Sequence, residues 1–190
     1  MSDFPGARVR NAQDFWRYLD EYREGGTRAV AERLDPRTLE QLEHAAKTAW
    51  LPIELDARFV DAVVDEFADD PSDVWRKYTS RFVSGGLMKA VFDGTVRIFG
   101  LSLHSIVKAA PRAWQQSYRG CGTMAVHRQE GVDAVVLEVN DLHPMMLQRD
   151  GYLMLLRGMF LGLHDLASVE DQMDFAVDRE GNQLTAVFRW

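Results

Sequence analysis

The stretch DGYLMLLRGMFLGLHDL, Asp150 to Leu166, decides the fold. Tyr152, Leu155, Met159 and Leu163, with Leu156 and Phe160 beside them, recur at helical spacing and make one broad apolar face that must be covered. Gly158 and Gly162 leave a bare strip where a strand or another helix can approach closely, although each glycine costs about 1 kcal/mol of helix propensity. On either side of this helix the period changes to two. CGTMAVHR (121–128) and VDAVVLEV (132–139), separated by Gln129-Glu130-Gly131, read as one hairpin. QMDFAVDR (172–179) and QLTAVFRW (183–190), joined by Glu180-Gly181-Asn182, read as a second. The expectation is that 122–128 pairs with 132–139 and 171–178 with 183–190. Both would be antiparallel hairpins of one sheet, with the 151–165 helix on a face.

Working outward, the N-terminal half keeps helical periodicity. Phe15, Trp16, Leu19 and Tyr22 define a helix over 11–24 that Gly25 and Gly26 stop, and a short second helix fits 27–34. Asp35-Pro36 offers an N-cap acceptor followed by proline at the first helical position, with Leu39 and Leu42 pointing inward. Leu51-Pro52 predicts an extended piece, since a residue before proline avoids the helical region. Asp56 is expected to cap a fourth helix bearing Phe59, Val60, Val63, Val64 and Phe67. The cluster Asp69-Asp70-Pro71-Ser72 should end it and start a fifth with Val74, Trp75 and Tyr78. After Gly85-Gly86 the chain reads as an interrupted helix with joints at Gly94 and Gly100, restarted at Pro111. The layout predicts an α+β fold, a helical N-terminal half followed by a ββαββ unit with an antiparallel sheet. One domain would span 1–190, with a helical subregion over 1–85 and the ligand-binding-like core over 86–190.

Composition bounds the function. With 190 residues and 46% hydrophobic content the chain can bury a sizeable core. Its net charge of -7 and pI near 5.2 argue against a nucleic-acid footprint, which needs clustered Lys and Arg. Cys121 is the only cysteine, so there is neither an internal disulfide nor a cysteine-based zinc site, which fits a reducing, cytoplasmic setting. The N-terminus lacks a signal-peptide pattern and no run of 18 apolar residues occurs, so neither secretion nor a membrane span is expected. Motifs for a P-loop, a dinucleotide site, a nucleophile elbow or a zinc protease are missing, and no enzyme is expected.

The order of elements carries a resemblance. A helical N-terminal half, a helix ending near a tryptophan, a hairpin, the helix GYLMLLRGMFLGL and a last hairpin closing in FRW resemble a superfamily of small ligand-binding domains. It contains the haem nitric-oxide/oxygen-binding domains, 4-vinyl reductase-type domains and TRAPP vesicle-tethering subunits; the chain is most similar to a Myxococcales-type family of about this length. The likeness covers roughly 86–190. It implies a pocket between helices and sheet, able to hold a haem, an aromatic compound or an acyl chain in different relatives. In the haem-binding relatives the iron's proximal histidine sits in a Leu-His context with a proline downstream, which Leu103-His104 and Pro111 match. Those relatives also grip the haem propionates with Tyr-x-Ser-x-Arg. The corresponding stretch here, EVNDLHPMMLQRD (138–150), has neither Tyr nor Ser, and Arg149 or Arg157 would supply at most part of such a clamp.

Three functions follow as expectations. The first is a non-catalytic ligand-binding or sensory domain for a hydrophobic small molecule, with Phe92, Phe99, Leu103, Val107, Met124, Leu155 and Met159 as the pocket wall. The second is a haem-based gas sensor with His104 on the iron; the plain alternative for His104 is an ordinary helix residue bonded to water or backbone. The third is a TRAPP-like protein-interaction module. Met88, Met124, Met145, Met146, Met154 and Met159 suit an adaptable pocket or an irregular core equally. An exposed sheet edge or apolar face predicts a homodimer. Cys121, between two glycines, is either a reactive thiol or a strand start. His127, His143 and His164 fall on different elements, with His164 placed to complement a helix C-terminus. Tyr78-Thr79-Ser80-Arg81 is assigned to the surface, and 140–149 to a loop.

Overall fold

In the computed structural model, residues 4–84, 106–129, 134–166 and 173–189 are described. Strand β1 (Gly6–Arg8) leads into α1 (Val9–Tyr22), α2 (Gly26–Ala31), α3 (Pro36–His44), β2 (Trp50–Pro52), α4 (Ile53–Glu66) and α5 (Pro71–Ser84). Next come α6 (Ala110–Ser117), β3 (Tyr118–Arg119), β4 (Thr123–Arg128), β5 (Ala134–Asn140), α7 (Pro144–Leu147), α8 (Asp150–Leu166), β6 (Met173–Asp178) and β7 (Gln183–Arg189). The α+β class and both expected hairpins are observed. The antiparallel sheet runs β4-β5-β7-β6, with Val126 opposite Leu137, Leu137 opposite Ala186, and Ala186 opposite Phe175. That register puts Met124, Val126, Val135, Leu137, Val139, Leu184, Ala186, Phe188, Met173, Phe175 and Val177 on one face, and all of them join the apolar core.

Helix α8 lies between that face and the N-terminal helices. Toward the sheet it sends Phe160, 6.2 Å from Phe175, and His164, stacked 6.4 Å from Phe188. Its glycine strip, however, receives α5. A Cβ on Gly158 would meet Ser72 O inside van der Waals contact and Trp75 Cβ at 2.7 Å; one on Gly162 would meet Arg76 O at 2.5 Å and Thr79 Cβ at 2.7 Å. Ser72 Oγ donates to Met154 O and Ser80 Oγ to Gly162 O, both at 3.3 Å, while Arg76 holds Asp165 through two bonds of 2.5 and 2.6 Å. The expected surface position of Tyr78-Thr79-Ser80-Arg81 is therefore corrected in part. Thr79 is 5% exposed and, with Ser80, belongs to the α5–α8 interface, whereas Arg81 is exposed as expected.

Several local expectations hold and others change. Asp35 caps α3, accepting from Arg37 N and Thr38 N at 3.1 Å, and Pro111 sits in the first turn of α6. Asp56 does not cap α4. Pro52, extended at ψ 141, occupies the N-cap and leaves Asp56 buried inside the helix. The 140–149 loop contains α7, whose first turn is closed by His143 Nδ1 accepting from Met145 N at 3.2 Å. His164 lies in the last turn of α8, as expected for a residue near the helix C-terminus, but it is only 9% exposed and its Nε2 has no partner among the described residues. A second, three-stranded sheet, β2-β1-β3, ties the N-terminus to the segment after α6. Gly6 is required there because a Cβ would collide with Leu51 O. The stretch 86–105, with its joints at Gly94 and Gly100, lies outside the described residues, as does the Glu130-Gly131 turn.

Candidate functional site

A cavity of about 140 Å3 lies where α1, α4, α5, α6 and α8 converge beside β4. Helix α1 contributes Ala12 and Phe15, α4 Phe59 and Val60, α5 Trp75, Tyr78 and Phe82, α6 Ala110, Ala113 and Trp114, and α8 Leu155, Met159 and Leu163; Met124 comes from β4. An aromatic cluster fixes this wall. Phe15 stacks on Trp75 at 3.7 Å and 12°, and meets Tyr78 edge-on at 4.9 Å and Phe59 at 5.9 Å. Trp114 is held by its indole N–H, which donates to Gly122 O at 3.1 Å.

Few polar groups enter. Asp56 is on the cavity wall and accepts a hydrogen bond from the hydroxyl of Tyr152, which lies in the buried layer behind it; loss of solvent pushes the Asp56 carboxyl up to about 6, with the Tyr152 bond opposing that rise. The indole N–H of Trp75 and the hydroxyl of Tyr78 are buried without hydrogen-bond partners among the described residues. Burial also raises the Tyr78 pKa, so this hydroxyl stays protonated and available as a donor. A mostly apolar wall with a few unsatisfied polar atoms is the composition of a binding pocket.

Of the residues expected on the wall, Met124, Leu155 and Met159 line the cavity. Val107 is fully buried in the core, and its neighbour Ile106 takes the place on the wall. Phe92, Phe99, Leu103 and His104 lie outside the described residues. Sequence reading did not single out Asp56 and Tyr152 as partners, since an aspartate near a helix start looks like a cap. Cys121 is buried, donates to Arg119 O at 3.3 Å, and desolvation pushes its thiol up to about 11, which removes the reactive-thiol reading. His127 is 3.6 Å from Glu138, far along the chain from capping His143 and buried His164. Among the described residues no three His, Cys, Asp or Glu side chains are placed to hold a metal ion, and no helix is long and apolar enough to cross a membrane.

The described wall does not fit a haem. A cavity of about 140 Å3 is benzene-sized, given that a dry cavity of about 150 Å3 holds one benzene, whereas pockets for larger ligands run to about 300–1,000 Å3. Arg149 is committed to Asp61 and Met145, and neither Arg149 nor the exposed Arg157 is among the lining residues.

The chain matches no protein-family model and no curated protein. Solved structures do match along nearly its whole length. A mutant of the T. tengcongensis H-NOX (haem NO/oxygen-binding) protein has a TM-score of 0.65 at 10% identity, covering 96% of each chain. An oxygen-binding H-NOX domain related to soluble guanylate cyclases gives 0.63 at 12% identity, with 96% of this chain and 94% of that one covered. An S. oneidensis H-NOX protein in the Fe(II)NO state gives 0.60 at 9% identity, covering 95% and 96%. At such identities the likeness is one of fold: the chain has the architecture of H-NOX domains.

Proposed function

We propose that the chain is a single, non-catalytic, cytoplasmic sensory domain on an H-NOX fold, binding a small hydrophobic molecule in the cavity bounded by Phe15, Trp75, Trp114, Leu155 and Met159. The observation that carries this reading is the cavity itself, walled by aromatic and aliphatic side chains from five helices. A second reading, a haem-based gas sensor with His104 on the iron, draws its support from the comparisons, which favour it more directly than they favour a general ligand-binding role. The size of the cavity and the commitment of Arg149 to Asp61 count against it.

Absorbance of freshly purified protein separates the two. A Soret band supports haem; a bound apolar molecule recovered by extraction supports the first reading; neither points to an interaction module. Ala110, at 9% exposure on the cavity wall, gives a second test. In a solid core Ala110→Leu would overpack and cost about 1–3 kcal/mol. Here the added volume enters the cavity, so the variant is expected to keep or raise the melting temperature while weakening uptake of a hydrophobic dye. A clear fall in melting temperature, with no dye bound by the parent protein, would overturn the pocket.

A further inference from the structure

The cavity adjoins a groove of about 630 Å3 along α1 and α5 whose charge runs against that of the molecule. Arg8, Arg10, Arg17, Lys47 and Arg81 line it, opposed only by Asp14 and Glu21 among the described residues. Asp14 is shared between Arg10 at 3.6 Å and Arg17 at 2.8 Å, and Glu21 pairs with Arg81. Arg8 has no carboxylate partner among the described residues: it donates to Thr48 O at 2.8 Å and lies 3.7 Å over the Trp50 ring. In a chain of net charge -7 this local cationic excess is the kind of concentrated field that attracts an anion.

Groove and cavity share Arg8, Asn11, Tyr78 and Phe82. Tyr78 therefore stands at the boundary, and its buried hydroxyl is one of the donors without a partner among the described residues. We infer that the two spaces form one site for an amphipathic oxyanion. Its apolar body, about one aromatic ring in size, fills the cavity; its carboxylate or phosphate lies in the groove, where Arg and Lys side chains supply charge-assisted hydrogen bonds and Tyr78 donates at the boundary. This inference rests on the apolar pocket proposed above and specifies the class of molecule that enters it.

Titrations with phenylacetate, phenyl phosphate, toluene and inorganic phosphate, followed by ligand-observed NMR and by the fluorescence of Trp75 and Trp114, test it. Phenylacetate or phenyl phosphate should bind at least tenfold tighter than toluene, with an affinity that falls as salt is added; the better of the two identifies the anionic group. The double variant Lys47→Gln/Arg81→Gln, whose side chains are exposed, should weaken the anion at least tenfold and leave toluene within twofold. Tyr78→Phe, which keeps the ring in the wall, should weaken only the anion. Toluene bound as tightly as both anions, or inorganic phosphate bound as tightly as either, overturns the combined site alone. A parent protein that takes up neither toluene nor the aromatic anions overturns the pocket with it.

Discussion

Asp35 and Asp56 both fall in the first stretch of a helix that a proline helps to start, yet they do opposite things. Asp35 precedes its proline and takes the N-cap, where its carboxylate accepts from Arg37 N and Thr38 N; hydrogen bonds from the Thr38 hydroxyl and from Arg58, with a smaller share from the Thr38 backbone N–H, hold its pKa down at about 2. Asp56 follows Pro52 by a full turn, so it falls inside α4 and faces the core, where Tyr152 donates to it. The first arrangement is legible because proline fixes the cap position; the second depends on a partner 96 residues away, which no local pattern encodes. The burial has a sign. With its pKa raised from 3.8 to about 6, Asp56 binds its proton more tightly in the folded chain than in the unfolded one. Its contribution to stability is fully present below pH about 4 and is lost as pH rises to about 6. Asp56→Asn keeps the shape and an acceptor for Tyr152 without the charge. It is expected to raise stability at pH 7 by on the order of 2–3 kcal/mol and to flatten that part of the pH profile. Urea unfolding at pH 4, 5, 6 and 7 measures this; a variant less stable than the parent at pH 7 would show that the ionised carboxylate is favoured in the fold.

At the scale of elements, the hairpins and α8 were legible because both periods, two and 3.6, are present and bounded by turn residues. Gly158 and Gly162 correctly signalled a close approach, but spacing alone cannot say what approaches, and the partner is α5, contributed from far earlier in the chain. The glycine strip also sets two effects in opposition. Alanine at either position would recover about 1 kcal/mol of helix propensity, yet its Cβ would meet Ser72 O and Trp75 Cβ at 158, or Arg76 O and Thr79 Cβ at 162. The colliding atoms include α5 backbone oxygens, which cannot move without displacing the helix. Overpacking should win: Gly158→Ala and Gly162→Ala are each expected to lose about 1–3 kcal/mol in urea unfolding. Since Trp75 and Tyr78 ride on α5 and line the cavity, the same variants should weaken ligand uptake. Unchanged or increased stability would mean that the two helices are not in this close contact.

For the whole molecule, alternation revealed which strands pair within each hairpin, while the joining of β5 to β7, the small β2-β1-β3 sheet and the cavity all depend on contacts between distant parts of the chain. The strand order leaves β4 and β6 at the edges of the larger sheet among the described residues, and an unpaired edge presents free backbone donors and acceptors to another strand. The two edges are not equivalent. Strand β6 turns Asp174, paired with Arg189 of β7, and Asp178 outward from the core, and pairing with its own copy would bring these acidic side chains into the seam. Strand β4 carries Thr123, Ala125 and His127 on the corresponding side, with no acidic residue among them. A two-fold antiparallel pairing of β4 with its copy would extend the sheet through both chains, in keeping with the closed symmetry usual for homodimers. Light scattering of the parent protein at micromolar concentration is therefore expected to give about twice the chain mass of 21.7 kDa. Ala125→Lys places a charge on the exposed side of β4 and should return the mass to that of one chain without lowering the melting temperature of the fold. A parent mass of 21.7 kDa that does not grow with concentration would exclude the homodimer, and a dimer that survives Ala125→Lys unchanged would move its interface away from β4.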